Sequence, residues 1–139
     1  MKIIKWISFF GLLLTTGLNL SAQDSLNAKV YFIRRTGVNS FAETFDIYID
    51  RRRICTLEND RFSIYNLPEG RHEFDVKETN DQLTITYTPT VIDIEKGKTY
   101  YLELNFGEGA ISKIQLASVT ERKAKKLMKN CQTDPQCQN

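Results

Sequence analysis

The chain has 139 residues, which is enough for one domain of ordinary size. Hydrophobic residues make up 41% and charged residues 26%, values that are typical of a globular protein and exclude a disordered one. Lys and Arg total 19 and Asp and Glu total 17, and two of the lysines lie in the first 22 residues, which contain no acid. Residues 23–139 therefore carry no formal net charge. This argues against a general nucleic-acid binder, because such a protein needs a basic excess.

Residues 1–22 have the order of a secretory signal peptide. Lys2 and Lys5 supply the positive start, an apolar run follows at residues 6–14, and Ala22 supplies the small residue before a cleavage site. The apolar run is about half of the roughly 20 residues that a membrane-spanning helix needs, so we expect cleavage rather than a retained anchor. We therefore expect an exported protein, periplasmic or secreted, with no transmembrane segment in the mature chain.

Residues 23–119 have the pattern of an all-β domain. Short segments of alternating apolar and polar residues are broken by turn residues at regular spacing, which favours an antiparallel β-sandwich of seven to nine strands, similar to transthyretin or immunoglobulin domains. Pro89 interrupts one apolar run and indicates a strand end or an edge strand. The predicted strands, in chain order, are residues 29–35, 44–50, 53–57, 61–67, 72–78, 83–88, 92–94, 99–106 and 111–119.

Residues 120–139 differ in period and in charge. The spacing of Ser118 and Glu121 is that of a capping box, and residues 121–130 place Ala124, Leu127 and Met128 on one stripe of a predicted helix. So short a helix is marginal alone in water, so we expect this stripe to dock on the sandwich. The segment carries five basic and two acidic residues, a net charge of +3 against −3 for residues 23–119. This asymmetry allows a weak contact with an anionic surface.

Three cysteines are compatible with an exported, oxidising setting. Cys131 and Cys137 are separated by five residues that include a turn-forming Asp-Pro pair, which predicts a local disulfide. Cys55 lies in a predicted strand, and we expect it to be reduced and buried. The alternative is a bond from Cys55 to one tail cysteine, which would tie the tail to the sheet. With one His and no Cys-x-x-Cys pair, no metal site or cofactor is expected.

The order of four short segments resembles a bacterial family described only as a domain of unknown function. The segments are residues 30–35, 47–50, 67–72 and 95–101, and the Pro-Glu-Gly and Gly-Lys-Thr-Tyr-Tyr turns among them are also similar to PEGA-type and transthyretin-like sandwiches. The resemblance implies small exported or lipid-anchored sandwich domains, and it implies no catalytic residue. The chain departs from the family at Arg51, where Asp-Gly is frequent, in its lack of a lipid-anchor cysteine, and in its cysteine-containing tail.

Candidate contact residues are basic. Arginines at a predicted hairpin tip and two cations on the predicted helix are suited to an acidic partner, a lipid headgroup or a polysaccharide, although such residues also serve as solvated turns and faces. These candidates are Arg51, Arg52, Arg53, Arg122 and Lys126.

His72 is the one His of the chain and stands soon after the Pro-Glu-Gly turn. We expect it to close this turn by hydrogen bonding at the end of the sandwich, because catalysis would need a nucleophile or an orienting acid nearby. The sequence therefore predicts a non-catalytic, exported or envelope-associated domain that contacts a protein or glycan. The alternatives are a small periplasmic enzyme that uses His72 or Cys55, and an inhibitor or immunity-type protein.

Overall fold

The computed structural model describes residues 27–35, 44–79, 86–106 and 113–135, and these form two packed β-sheets and one short helix. The first part of the predicted strand 83–88 and the start of the predicted strand 111–119 lie outside the described residues. The strands are β1 (Ala28–Arg34), β2 (Phe45–Ile49), β3 (Arg52–Leu57), β4 (Arg61–Leu67), β5 (Gly70–Glu78), β6 (Thr86–Tyr87), β7 (Thr90–Ile94), β8 (Thr99–Phe106), β9 (Lys113–Ser118) and β10 (Gln132–Thr133).

The strands are divided between a six-stranded sheet and a four-stranded sheet. The first has the order β10-β4-β1-β8-β9-β6, and the second has the order β3-β2-β5-β7. The predicted sandwich is confirmed, and its eight strands of five residues or more fall within the predicted range. Pro89 lies between β6 and β7, which are edge strands of different sheets, so it marks a strand end as predicted.

One central pairing differs from a purely antiparallel sandwich. Strands β1 and β8 are parallel, with Val30 beside Tyr100 and Phe32 beside Leu102. The four-stranded sheet is built within the long connection between these two strands, and parallel neighbours require such a crossover. Sequence alternation defines the two faces of each strand but not the direction of its neighbour, so this feature was not predictable from the pattern.

The core consists of alternate residues that point inward from both sheets. Val30 and Phe32 of β1 are fully buried, and the Phe32 ring lies 6.1 Å from the ring of Phe74 in the opposite sheet. Arg34 continues this inward series and is also fully buried. Its Nη1 donates to the carbonyl of Leu57 at 2.9 Å, and its guanidinium lies 4.7 Å from the centre of the Phe45 ring. These contacts offset part of the cost of burying its charge.

The helix α1 (Glu121–Met128) packs on the outer face of the six-stranded sheet, against β1 and β8. The docking stripe is confirmed, because Ala124 is fully buried and Leu127 and Met128 are half-buried. The predicted capping box is wrong: the N-cap is Thr120, whose hydroxyl accepts from the amide of Lys123. Ser118 belongs to β9 instead, since the sheet ladder engages it before the helix begins.

Candidate functional site

The turn between β2 and β3 places Asp50 at one end of the sandwich. Asp50 and Arg51 have φ angles of 50° and 66°, and Ile49 pairs with Arg52 on either side of them. Two residues in the left-handed region between paired strands form the preferred hairpin turn, for which Asp-Gly is a favoured sequence. Arg51 therefore occupies a backbone position that glycine adopts at lower cost.

The Asp50 carboxylate joins this turn to the start of β5. One oxygen accepts from the backbone amide of Glu73 at 2.9 Å, and the other lies 2.7 Å from Nδ1 of His72. The hydrogen bond from Glu73 and the contact with His72 hold the pKa of Asp50 below its ordinary value. Asp50 therefore acts as a charged clasp between the β2–β3 turn and the β4–β5 turn.

The second ring nitrogen of His72 is also engaged. Nε2 lies 3.1 Å from the carbonyl oxygen of Pro68, across the Pro-Glu-Gly turn, which confirms the predicted turn-closing role. Both ring nitrogens are therefore engaged, Nδ1 by a carboxylate and Nε2 by a backbone carbonyl. These two contacts hold the ring between the β2–β3 turn and the β4–β5 turn.

A cleft of about 400 Å³ opens beside this clasp. Its walls are mainly apolar, and its titratable lining groups are those of Asp50, Arg52, Tyr65 and His72. Among the described lining residues there is no Ser, Thr, Cys or Lys to serve as a nucleophile. The cleft therefore provides room for a small group beside Asp50 and His72.

The three hairpin arginines do not form one patch. Arg53 Nε lies 3.0 Å from Asp46, and Arg51 Nε lies 3.9 Å from Glu73. Arg52 lines the cleft instead. The close pair with Asp46 offsets the charge of Arg53, whereas Arg51 is 89% exposed and only loosely paired, so the three arginines do not share one anion-binding surface.

A second concave surface lies between the helix and the outer face of the six-stranded sheet. We call it the Tyr31 groove; it has a volume of about 530 Å³ and is mostly apolar. It is lined by Tyr31, Phe62, Ile64, Lys125, Met128 and Lys129.

The floor of the Tyr31 groove is formed by half-buried residues of neighbouring strands. Tyr31 pairs with Ile64 across β1 and β4, and its ring stacks near that of Phe62, with centroids 6.4 Å apart and an interplanar angle of 23°. On its other side Tyr31 lies 5.0 Å from the ring of Tyr101, whose pKa is raised by burial and by the nearby Glu121. The floor is therefore a short platform of aromatic rings.

The cations of the helix differ in their surroundings. Lys123 pairs with Glu103 at 2.5 Å, and Lys125 pairs with Glu121 at 2.7 Å. The predicted contact residues Arg122 and Lys126 are exposed but do not line the groove.

The residues that line the Tyr31 groove were not predicted as a site from the sequence. A signal was present, since Tyr31 and Ile64 are apolar at positions that alternate with the inward residues of their strands.

The predicted disulfide between Cys131 and Cys137 is wrong. Cys131 is a free, half-buried thiol that donates to the carbonyl of Leu127 at 3.4 Å. Burial and the nearby Asp60 carboxylate raise the pKa of this thiol. The residues that follow the helix are instead fixed by pairing with β4, which keeps Cys131 against the helix end. Cys137 lies outside the described residues.

Cys55 was predicted to be reduced and buried. It is buried, with 6% of its surface exposed, but it is disulfide-bonded. Within the part of the chain that the structure describes, no second cysteine is bonded to it. The alternative considered from the sequence, a bond from Cys55 to the tail, is therefore favoured over the local ring.

No group of His, Cys, Asp and Glu within the described ranges is arranged to hold a metal ion. Nor does the described part of the chain contain a helix that is long and apolar enough to cross a bilayer. What defines this molecule is a two-sheet β domain with a polar clasp at one end and an aromatic groove beneath its helix.

The family with this sequence pattern is described as a protein of unknown function, DUF2846, and it matches residues 24–116. The chain belongs to this family. A search of curated proteins gave no match. The match ends before α1, so the helix wall of the Tyr31 groove lies outside the matched region.

Proposed function

We propose that the protein is a non-catalytic exported domain that binds a protein or glycan partner in the cell envelope. The observation that carries this proposal is the Tyr31 groove, a concave apolar surface with two lysines at its rim. Binding sites are commonly concave and mainly apolar, with a few polar groups that fix orientation. The resemblance to PEGA-type and transthyretin-like sandwiches, and the order of residues 1–22, support an exported role.

The geometry favours binding over the enzymatic alternative. His72 has both nitrogens engaged, and the described residues that line its cleft include no Ser, Thr, Cys or Lys. The sulfur of Cys55 is bonded and buried, which removes it as a thiolate. An inhibitor or immunity-type role would be one form of protein binding, and partner identification would distinguish it.

The proposal is tested by site-specific crosslinking in the native envelope. A photoreactive p-benzoylphenylalanine replaces Phe62 in the Tyr31 groove, and in a matched control it replaces Tyr48 on the outer face of the other sheet. Both positions carry half-buried aromatic rings, and Tyr48 lies under the ammonium of Lys77 at 5.1 Å. The two variants therefore receive comparable changes in volume.

We expect a defined adduct from position 62 and none of the same mass from position 48. The adduct partner is then identified, purified and shown to bind the unmodified protein directly. Equal adducts from both positions, an adduct from position 48 alone, or no adduct from position 62 would overturn the proposal.

A further inference from the structure

The residues of the Tyr31 groove indicate which class of ligand it binds. The inference about this ligand rests on the proposed function. Its floor presents Tyr31, Phe62 and Ile64, and its helix wall presents Met128. Aromatic rings and a flexible thioether together accommodate an apolar group of irregular shape. The groove volume of about 530 Å³ has room for a large apolar side chain.

The lysines at the rim of the groove favour a ligand that has negative charges beside its apolar group. Lys129 is exposed and forms no ion pair with any residue that the structure describes. Lys125 is already paired with Glu121, but the pair is open to solvent, with both side chains more than half exposed. Arg122 and Lys126 on the exposed face of α1 extend the positive field beyond the rim. A partner with carboxylates beside an apolar residue is complementary to this arrangement.

The shape of the groove favours a peptide over a lipid surface. Insertion into a bilayer interface requires apolar side chains that protrude toward the acyl chains. Tyr31, Phe62 and Ile64 are half-buried on the sheet face beside the helix, so part of their apolar surface is already covered and they do not extend freely from the domain. A projecting side chain of a partner can reach this floor, whereas a flat bilayer would meet the helix first.

We infer that the Tyr31 groove binds an acidic peptide segment of a partner protein. The segment inserts one large apolar side chain toward Phe62 and Met128 and places flanking carboxylates at Lys125 and Lys129. The apolar contact supplies most of the affinity, and the lysines fix the direction and exclude basic segments.

The probe is a blocked synthetic peptide with one Trp flanked on each side by Asp and Glu. The chain's own Trp is Trp6, within the predicted leader, so the exported protein adds no Trp signal and peptide fluorescence reports binding directly. Two control peptides replace the Trp by Ala or the acids by Lys. The protein is produced with its leader and purified after export.

Lys129→Glu is compared with Lys96→Glu, which makes the same charge change in the exposed turn between β7 and β8. We expect Lys129→Glu to weaken binding about fivefold, which corresponds to about 1 kcal/mol, and Lys96→Glu to leave it unchanged. Met128→Gln keeps helix propensity and length but removes apolar contact, and we expect it to weaken binding as well. Unchanged melting temperatures establish that each variant is folded.

The inference is overturned if the acidic peptide does not bind, if the basic peptide binds equally well, or if both lysine variants bind alike. Vesicles of phosphatidylglycerol and phosphatidylcholine serve as a further probe. Binding to these vesicles without binding to the peptide would assign the surface to lipid and overturn the peptide inference. A crosslinked partner at position 62 together with a failed peptide assay would leave the binding function standing and reject only this ligand class.

Discussion

Nδ1 of His72 lies 2.7 Å from Oδ2 of Asp50, although the two residues are 22 positions apart in the chain. Asp50 directly follows the last residue of β2, and His72 lies near the start of β5. Strands β2 and β5 are antiparallel neighbours in the four-stranded sheet. Through Nε2 the same ring reaches the carbonyl of Pro68, so one imidazole connects two turns at one end of the sandwich. This arrangement makes the clasp a structural element whose loss is measurable as a change in stability.

Asp50→Ala is expected to lower the free energy of unfolding by about 1.5–3 kcal/mol. The substitution leaves the Glu73 amide and the His72 ring without their acceptor. It also places alanine at a φ of 50°, and alanine has no polar side chain to form the local hydrogen bonds that help Asp to adopt this angle. Asp50→Asn retains an acceptor and tolerates this backbone angle, so we expect a loss of under about 1 kcal/mol. Urea denaturation of both variants measures the difference, and equal losses would show that the clasp is not what Asp50 contributes.

The clasp also predicts a pH dependence. The pKa of Asp50 is lower in the folded chain than its ordinary value of 3.8, so the unfolded chain binds more protons in this range and stability rises with pH. The contribution is complete above the ordinary value and is lost as the pH falls through the folded value. Because 52% of the Asp50 side chain is exposed, solvent reduces the effect. Urea midpoints between about pH 5 and pH 2 should fall less steeply for Asp50→Asn than for the wild type. Parallel curves would contradict this prediction.

Arg51→Gly is expected to stabilise the protein by about 0.5–1 kcal/mol. Arg51 has a φ of 66°, and glycine adopts this angle without a steric penalty, which outweighs its larger entropy in the unfolded chain. Little is lost with the side chain, since its contact with Glu73 is 3.9 Å long and 89% of the side chain is exposed. Asp50→Gly in the same turn is the matched control and should destabilise, because it removes the clasp. Thermal melts compare the two, and a destabilised Arg51→Gly would refute the strain argument.

The sequence was sufficient for features that depend on local alternation and insufficient for those that depend on register. The alternation of apolar and polar residues predicted the strands, and the Pro-Glu-Gly turn predicted a turn-closing His72. The partner Asp50 was not predictable, because its approach depends on the alignment of β2 with β5. The Tyr31 groove was missed for a related reason: its walls come from β1, β4 and α1, which are brought together only by the tertiary fold.

The leader is a separate prediction. If residues 1–22 are removed on export, mass spectrometry of the native protein should find an N-terminus at or near Gln23. The physical basis is the order of positive, apolar and small residues that the export machinery recognises. The control is Ala22→Asp, which replaces the small residue before the cut and should block or shift cleavage. A native membrane-bound species that begins at Met1 would contradict the prediction.

The position of the C-terminal segment bears on the bond at Cys55. After the helix, Gln132 and Thr133 pair in parallel with Arg61 and Phe62 at the edge of the six-stranded sheet. The amide of Asp134 donates to the carbonyl of Phe62 at 2.7 Å, so the segment continues along β4. Because β3 and β4 are joined by a tight turn, this path runs back along the side of the sandwich that carries the edge strand β3. Gln132, Thr133 and Asp134 therefore lie beside β4, the strand that directly follows the Cys55 strand in the chain.

We predict that Cys55 is bonded to Cys137, the cysteine that remains once Cys131 is free. Non-reducing peptide mapping should recover a linked peptide containing these two residues and an unlinked peptide containing Cys131. Such a bond closes a loop of roughly 80 residues, for which chain entropy gives about 4.5 kcal/mol, more than the local ring would give. Cys137→Ser should therefore lower the free energy of unfolding by about 2–4 kcal/mol, because this is the typical contribution of a disulfide to stability. Cys131→Ser is the matched control and should cost under about 1 kcal/mol, since that thiol is half-buried and makes only weak contacts. A linked peptide containing Cys131, or a dimer joined through Cys55, would refute the assignment and leave the tail without its covalent tie to β3.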